Sequence, residues 1–316
     1  MNRDIAHTRY LKMLQTAFGP EVMTLLENEE VIEIMLNPDG QLIVEKLYKG
    51  KNPTGIFIPE DRSENIIKLV ASFKNKIADE DSPEVSTEIP FGGARFQGWL
   101  PPVVAKPTFA IRKKATHIFT LEDYLEKKSL TSENLLLLRQ AVKERRNIVI
   151  VGGTGSGKTT FANALVSELN GSADRILVLE DLPELQIKAE DVVFMCTTPK
   201  VSMRDLVKGS LRMRPDRIII GEVRDGAALE LLKAWNTGHP GGICTIHANS
   251  AEATPYRFED LIQEVVTTVP RNLILQAIDL IVFIERNQDG RREIKQIQIL
   301  EGYDEQNKKY ILKNKI

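Results

Sequence analysis

The residues best suited to chemistry form a glycine-rich segment near the middle of the chain. Residues 152–159 fit the pattern G-x-x-x-x-G-K-S/T, between an apolar, β-branched run at 148–151 and helix-forming residues at 161–169. Glycines let consecutive backbone N–H groups curl around phosphate oxygens, and the start of a helix adds partial positive charge. The segment therefore predicts a phosphate-binding loop. Its residues are Gly152, Gly153, Thr154, Gly155, Ser156, Gly157, Lys158, Thr159 and Thr160.

Two side chains of this loop have chemistry of their own. Lys158 is expected to reach the β- and γ-phosphates of a nucleoside triphosphate. The hydroxyl of Thr159 is expected to complete the coordination shell of Mg²⁺. The loop thus predicts ATP and Mg²⁺ as cofactors, and the strands that follow must decide the reaction.

Carboxylates follow the next predicted strand. Residues 175–179 lead to Glu180 and Asp181, with Glu184 close behind. In a parallel sheet these side chains lie at the carboxyl edge, where ligands bind. We expect Glu180 to hold a water molecule of the Mg²⁺ shell, so the predicted metal site consists of Thr159 and Glu180.

A further strand, predicted at 217–220, leads to Gly221 and Glu222. The strand has the apolar character of a Walker B element, but a glycine stands where an aspartate is usual. At the tip of the strand, Glu222 is well placed to orient and polarise the water that attacks the γ-phosphate. We predict Glu222 as the catalytic carboxylate.

Two of the four histidines lie in the segment 237–250. His247 ends the strand predicted at 243–246, which places its imidazole beside the other strand tips. From there it could donate a hydrogen bond to the γ-phosphate and report its loss. His239, in the preceding turn, is a second candidate for a functional role.

Composition limits the class of protein. The 316 residues suffice for two domains, and 42 basic against 44 acidic residues leave no overall charge that favours nucleic acid. Two cysteines are too few for a disulfide framework or a four-cysteine zinc site. No window of 18 uncharged apolar residues occurs, and the first residues do not form a signal core. We expect a soluble protein of a reducing compartment, with peripheral membrane attachment left open.

The order of predicted elements indicates an α/β fold with a smaller α+β domain in front. We expect an N-terminal domain at 1–115, a linker at 116–135 with a helix at 121–126, and an ATPase domain at 136–316. From residue 147 onward strands and helices alternate, as in a doubly wound parallel sheet. Its predicted strands are 147–151, 175–179, 217–220 and 243–246, followed by an antiparallel meander at 281–285, 293–300 and 309–312.

The N-terminal domain carries no catalytic motif of its own. We predict a helix over 4–18 that stops at Gly19 and Pro20, and a helix that Ser63 caps and that extends to residue 76. Strands are predicted at 32–36, 42–44, 86–89, 95–99 and 108–112.

Four blocks, taken in order, resemble the secretion traffic ATPases. Residues 152–159, 180–184, 214–225 and 237–250 match the motifs that this family calls Walker A, Asp box, Walker B and His box. The short N-terminal half is similar to that of the type IV secretion and conjugation branch, and within it to the TrbB-like conjugal transfer ATPases. The zinc-binding cysteine module of type II secretion relatives is absent from the sequence.

The resemblance implies a RecA-like P-loop domain that hydrolyses ATP. It also implies a homohexameric ring on the cytoplasmic face of the inner membrane, peripheral to it and in contact with inner-membrane components of a secretion or conjugation apparatus. ATP-driven opening and closing of the domains would power transfer. Arg95 and Arg112 match positions that in relatives reach the nucleotide from the N-terminal domain. Sequence-specific nucleic-acid binding is not expected.

Four alternatives share part of this pattern. A type II secretion or type IV pilus assembly ATPase has the same chemistry and serves another machine. A small-molecule kinase needs a lid insert, and the spans between motifs are short for one. A nucleotide-gated scaffold without hydrolysis conflicts with the intact Lys158, Thr159 and Glu222. A helicase needs a basic or aromatic-rich channel, which the sequence does not suggest.

Overall fold

Two apolar clusters, one in each half of the chain, divide the molecule into units of residues 1–116 and 117–316. Each unit is built on one β-sheet, of six and eight strands among the residues described. The computed structural model describes residues 2–47, 49–74, 76–114, 118–287 and 291–315.

The first unit is an antiparallel sheet covered by two helices. Its elements are α1 (Asn2–Glu27), β1 (Val31–Leu36), β2 (Gln41–Lys46), β3 (Gly50–Phe57), α2 (Glu60–Phe73), β4 (Glu84–Glu88), β5 (Arg95–Trp99) and β6 (Thr108–Arg112). The strands are ordered β3-β2-β1-β6-β5-β4. The predicted break in α1 is confirmed, since Gly19 has φ 65° and Pro20 follows it. Phe18, Ile67 and Phe96 are among the large side chains buried between helices and sheet.

Two predictions for this unit were wrong in detail. Strand β3 was not predicted, because Pro53 and two glycines interrupt any alternation; it lies at the sheet edge, where a missing N–H is tolerated. Ser63 does not cap α2. That helix begins after Pro59 with acidic residues in its first turn, and Ser63 donates its hydroxyl proton to the carbonyl of Glu60 at 2.8 Å.

The second unit alternates strands and helices. Its elements are α3 (Leu121–Glu126), α4 (Ser132–Lys143), β7 (Ile148–Val151), α5 (Lys158–Ser167), β8 (Ile176–Glu180), β9 (Val192–Cys196), α6 (Met203–Ser210), β10 (Arg217–Val223), α7 (Ala227–Asn236), β11 (Ile243–Ile246), α8 (Thr254–Gln263), α9 (Arg271–Ala277), β12 (Leu280–Arg286), β13 (Arg292–Asp304) and β14 (Lys309–Asn314). The predicted helix at 121–126 is confirmed, and Thr131 caps α4 by accepting a hydrogen bond from the N–H of Asn134.

The sheet of this unit is mostly parallel, which confirms the predicted fold class. Its order is β14-β13-β12-β7-β11-β10-β8-β9, with only β13 and β14 running antiparallel to their neighbours. The four residues of β7 and all five of β8 are buried, because helices cover both faces. The carboxyl ends of β7, β8, β10 and β11 therefore meet at one edge.

Two features of this sheet were not predicted. Strand β9 was missed, since it lies at the edge and its residues are only half buried or exposed. The antiparallel meander of β12, β13 and β14 is confirmed, but β12 also pairs in parallel with β7, Leu280 opposite Ile148. Residues 288–290, between β12 and β13, lie outside the described part of the chain. Within those residues, no helix is both long enough and apolar enough to cross a membrane.

Candidate active site

The glycine-rich segment forms a tight loop between β7 and α5. Gly155 and Gly157 have φ of 71° and 99°, a left-handed conformation that favours glycine. At Gly152, a Cβ atom would lie 2.2 Å from the carbonyl oxygen of Ile284, so only glycine fits. No side chain caps the start of α5, which leaves its first N–H groups available to an anion.

Lys158 is folded back over this loop. Its Nζ donates to the carbonyl oxygens of Gly152 and Gly153, both at 2.9 Å, and the residue is only 7% exposed. A third contact joins Nζ to Nδ1 of His247 at 3.2 Å. The lysine charge is thus held by neutral acceptors at the place where phosphate would bind.

His247 connects this lysine to Glu222. Its Nε2 lies 2.7 Å from Oε1 of Glu222, across the neighbouring strands β11 and β10. Partial burial, and then the charge of Lys158, lower the pKa of His247 against the opposing effect of Glu222. Because an ammonium can only donate, Nδ1 of the neutral ring accepts and the ring proton sits on Nε2, the nitrogen nearer to Glu222.

Arg224 completes this chain of contacts. Its Nε and Nη2 donate to Oε2 of Glu222 at 2.8 and 2.5 Å, and its Nη1 lies 3.4 Å from Asp181. Asp181 also accepts a hydrogen bond from the hydroxyl of Thr197. Arg224 was not among the functional residues predicted from the sequence. A signal existed, since residues two apart at the end of a strand project to the same side.

Glu180 is buried at the end of β8, where it organises the loop that follows. It is 3% exposed, and its Oε1 accepts hydrogen bonds from the N–H groups of Glu184 and Leu185, both at 3.0 Å. This carboxylate also explains the glycine in the Walker B strand. A Cβ atom on Gly221 would lie 2.9 Å from Cγ of Glu180 and 3.0 Å from its Oε1.

The polar atoms of the loop fit a bound phosphate chain. The buried Oγ of Ser156 has no hydrogen-bond partner among the residues described. Over the same part of the chain, no cluster of three or more histidine, cysteine or acidic residues could hold a metal ion. A divalent cation at the Thr159 hydroxyl would take further oxygen ligands from water and from nucleotide phosphates.

The two predicted arginines of the first unit are direct neighbours. Arg95 and Arg112 stand opposite each other on β5 and β6, and Glu88 and Glu33 stand opposite them on the outer sides. Like charges directly opposite each other destabilise a sheet unless an anion or flanking carboxylates compensate.

His239 lies at the other end of the strands. Its Nδ1 is 2.8 Å from the carbonyl oxygen of Pro215, which precedes β10. The phosphate-binding loop is at the carboxyl edge of the sheet, so His239 is no part of this site and holds a turn at the amino edge.

A strand, a glycine-rich loop, a helix that starts at a lysine, and a carboxylate at a neighbouring strand tip together define a P-loop ATPase domain. The model of the Type II/IV secretion system protein family matches residues 83–300, and the chain belongs to this family. The traffic ATPase resemblance and the predicted ATPase activity are thereby confirmed.

Individual relatives agree with this assignment. Conjugal transfer protein TrbB of Rhizobium radiobacter is 46% identical over 300 residues, which are 94% of this chain and 92% of that protein. The type IV secretion system protein VirB11 of Bartonella henselae is 31% identical over 312 residues, which cover 84% of this chain and 87% of that protein. A solved structure is also similar, the crystal structure of the VirB11 ATPase from the Brucella suis type IV secretion system in complex with sulphate. The match covers 93% of this chain and 96% of that chain, with 26% identity and a TM-score of 0.50.

Proposed function

We propose that this protein is a Mg²⁺-dependent ATPase that forms homohexameric rings and powers type IV secretion or conjugative transfer. The observation that carries the proposal is the chain of contacts Lys158–His247–Glu222 at the carboxyl edge of the sheet. This chain connects Lys158, which is proposed to bind phosphate, to Glu222, which is proposed to activate water. The similarity to proteins named for conjugal transfer and type IV secretion supports a role in one of these two apparatuses.

Each residue of the site has a proposed part in hydrolysis. On binding ATP, Lys158 exchanges its carbonyl partners for the β- and γ-phosphates, and the Thr159 hydroxyl would hold Mg²⁺, which would neutralise phosphate charge. A water oxygen attacks the γ-phosphorus while the bond to the leaving ADP oxygen breaks, and Glu222 accepts the water proton. Once its contact with Lys158 is released, His247 can donate a hydrogen bond to the γ-phosphate. Glu180 holds the loop that follows β8 and would orient the Mg²⁺ shell through a water molecule.

Coupling to transport would come from the first unit. In our proposal Arg95 and Arg112 bind phosphate oxygens when the protein closes on ATP, because an arginine fork needs close approach to its acceptor. Hydrolysis removes the anion they bind, which favours opening. The rings would work on the cytoplasmic face of the inner membrane, docked on membrane components of the apparatus.

Plasmid transfer from donor cells tests the proposal. Donors lacking the gene are complemented with wild-type protein or with Glu222→Gln, and both purified proteins are sized by light scattering with ATP and Mg²⁺. We expect rings from both proteins and transfer only with the wild type. Wild-type protein that stays monomeric at micromolar concentration, or transfer restored by Glu222→Gln, would contradict the proposal. Restored pilus assembly or protein secretion without transfer would assign the ATPase to the alternative machine.

A further inference from the structure

Arg292, at the start of β13, lies directly against the phosphate-binding loop. A Cβ atom on Gly157 would lie 2.4 Å from Cδ of Arg292 and 2.8 Å from its Nε. Gly157 immediately precedes Lys158 and is the N-cap residue of α5. The arginine stem therefore occupies the space beside the loop at the point where the helix begins.

The sheet fixes this position. Strand β12 pairs in parallel with β7, the strand that leads into the loop, and Arg292 stands opposite Arg286 where β13 begins to pair with β12. The carbonyl oxygen of Ile284 on β12 also abuts Gly152 at the other end of the loop. The ends of β12 and β13 thus border the loop at both Gly152 and Gly157, and Arg292 is placed by backbone pairing with β12.

Among the residues that the structure describes, none neutralises the charge of Arg292. Within the described residues its guanidinium makes no ion pair or side-chain hydrogen bond. Other arginines of this unit differ, since Arg217 is paired with Asp174 and Arg224 with Glu222. The half-buried side chain of Arg292 lies beside the N-terminus of α5, which carries partial positive charge, and stands opposite Arg286 across the two strands.

We infer that Arg292 binds the phosphate chain of the nucleotide, as a second cation supplied by the same unit as Lys158. The inference rests on the ATP site proposed above. Guanidinium groups bind phosphate oxygens with two parallel hydrogen bonds, and an anion here would relieve the concentration of positive charge. Because Gly157 lies at the start of α5, the contact falls on phosphates that ADP and ATP share. Arg292 therefore contributes to the affinity for both nucleotides and little to turnover.

Dissociation constants of the full chain test this assignment. ATP, ADP and inorganic tripolyphosphate are titrated against wild type, Arg292→Ala, Arg292→Lys and Arg291→Ala. The last variant removes the same charge from the adjacent exposed position. We expect Arg292→Ala to weaken the binding of all three ligands by about tenfold. Arg292→Lys should lose less, and Arg291→Ala should bind like the wild type.

Several outcomes would overturn the inference. If Arg292→Ala binds the ligands with wild-type affinity, Arg292 does not contact the phosphates. An equal loss of affinity in Arg291→Ala would indicate only a general charge effect and would also overturn the inference. Weaker binding of ATP and ADP with unchanged binding of tripolyphosphate would place Arg292 on the nucleoside and not on the phosphates. Thermal unfolding of each variant checks that the fold is kept. Failure of the wild type to bind ATP would overturn the nucleotide site itself.

Discussion

Nζ of Lys158 lies 3.2 Å from Nδ1 of His247, so the imidazole stands between the phosphate-binding lysine and the carboxylate of Glu222. In the proposed mechanism, the lysine leaves this contact to bind phosphate, and the histidine then changes partners. This pair of residues would thereby link occupation of the loop to the strand tip where water would be activated.

The titration of His247 reports this contact. Partial burial and the charge of Lys158 lower its pKa, so we expect a value below the ordinary ~6.5. Lys158→Ala should raise that pKa, while Lys233→Ala, which removes an equal charge from the surface of α7, should leave it unchanged. NMR of histidine-labelled protein measures it, with His247→Gln to assign the signal. An equal pKa in wild type and Lys158→Ala would contradict the contact.

The same shift predicts how stability depends on pH. The unfolded chain takes up a proton on this histidine near pH ~6.5, and the folded protein does so only at lower pH. His247 therefore favours folding above that pH, and its contribution is lost as pH falls below it. Urea unfolding between pH 5 and 8 should show that His247→Gln loses less stability than wild type as the pH falls. An identical loss in both proteins would contradict this role of His247.

Gly221 should not tolerate a side chain. Alanine there would bring Cβ within 2.9 Å of the buried Glu180, so we expect Gly221→Ala to lose roughly 1–3 kcal/mol of unfolding free energy. Gly209→Ala is the matched control. That residue is exposed on α6 and a Cβ atom there would meet nothing within 4 Å, so alanine should stabilise the helix by about 0.5–1 kcal/mol. Urea unfolding compares the two; a Gly221→Ala protein as stable as wild type would refute the packing argument.

The arginine pair of the first unit should affect ATP hydrolysis. If Arg112 binds phosphate in the closed protein, Arg112→Ala lowers ATPase activity at least tenfold, about 1.4 kcal/mol. Arg95→Ala should act in the same direction, and Lys51→Ala, which removes a charge from exposed β3, should not. Small-angle scattering with a non-hydrolysable ATP analogue supplies a second readout. We expect the wild type to become more compact and Arg112→Ala to change less; equal compaction in both would rule out this role.

Sequence patterns predicted the parts of the fold that local chemistry determines. The phosphate-binding loop depends on consecutive residues, and the central strands are β-branched runs buried on both faces. Edge strands β3 and β9 were not predicted because proline, glycine or partial exposure removes the alternation of apolar and polar residues. Pairing partners were also beyond reach, since the residues of β12 do not specify that its neighbour is the parallel strand β7.

Contacts between distant segments were predicted only in part. Strand tips in a parallel sheet meet at one edge, so Glu222 and His247 could be expected near the loop from their positions alone. Their mutual contact, and the packing of Glu180 against Gly221, depend on strand order and side-chain rotamers that no single sequence reveals. Arg292 reaches Gly157 only because β13 follows β12 along the sheet.

Phosphate release by Glu222→Gln tests the central claim most directly. Glutamine keeps the shape of the side chain and removes the carboxylate that would accept the water proton. We predict ATP affinity within about threefold of wild type and turnover lowered by ~10²-fold or more. Glu180→Gln, measured beside it, should impair turnover less. Turnover by Glu222→Gln within about threefold of wild type, or a larger loss in Glu180→Gln with ATP binding intact, would contradict the assignment of Glu222 as the catalytic carboxylate.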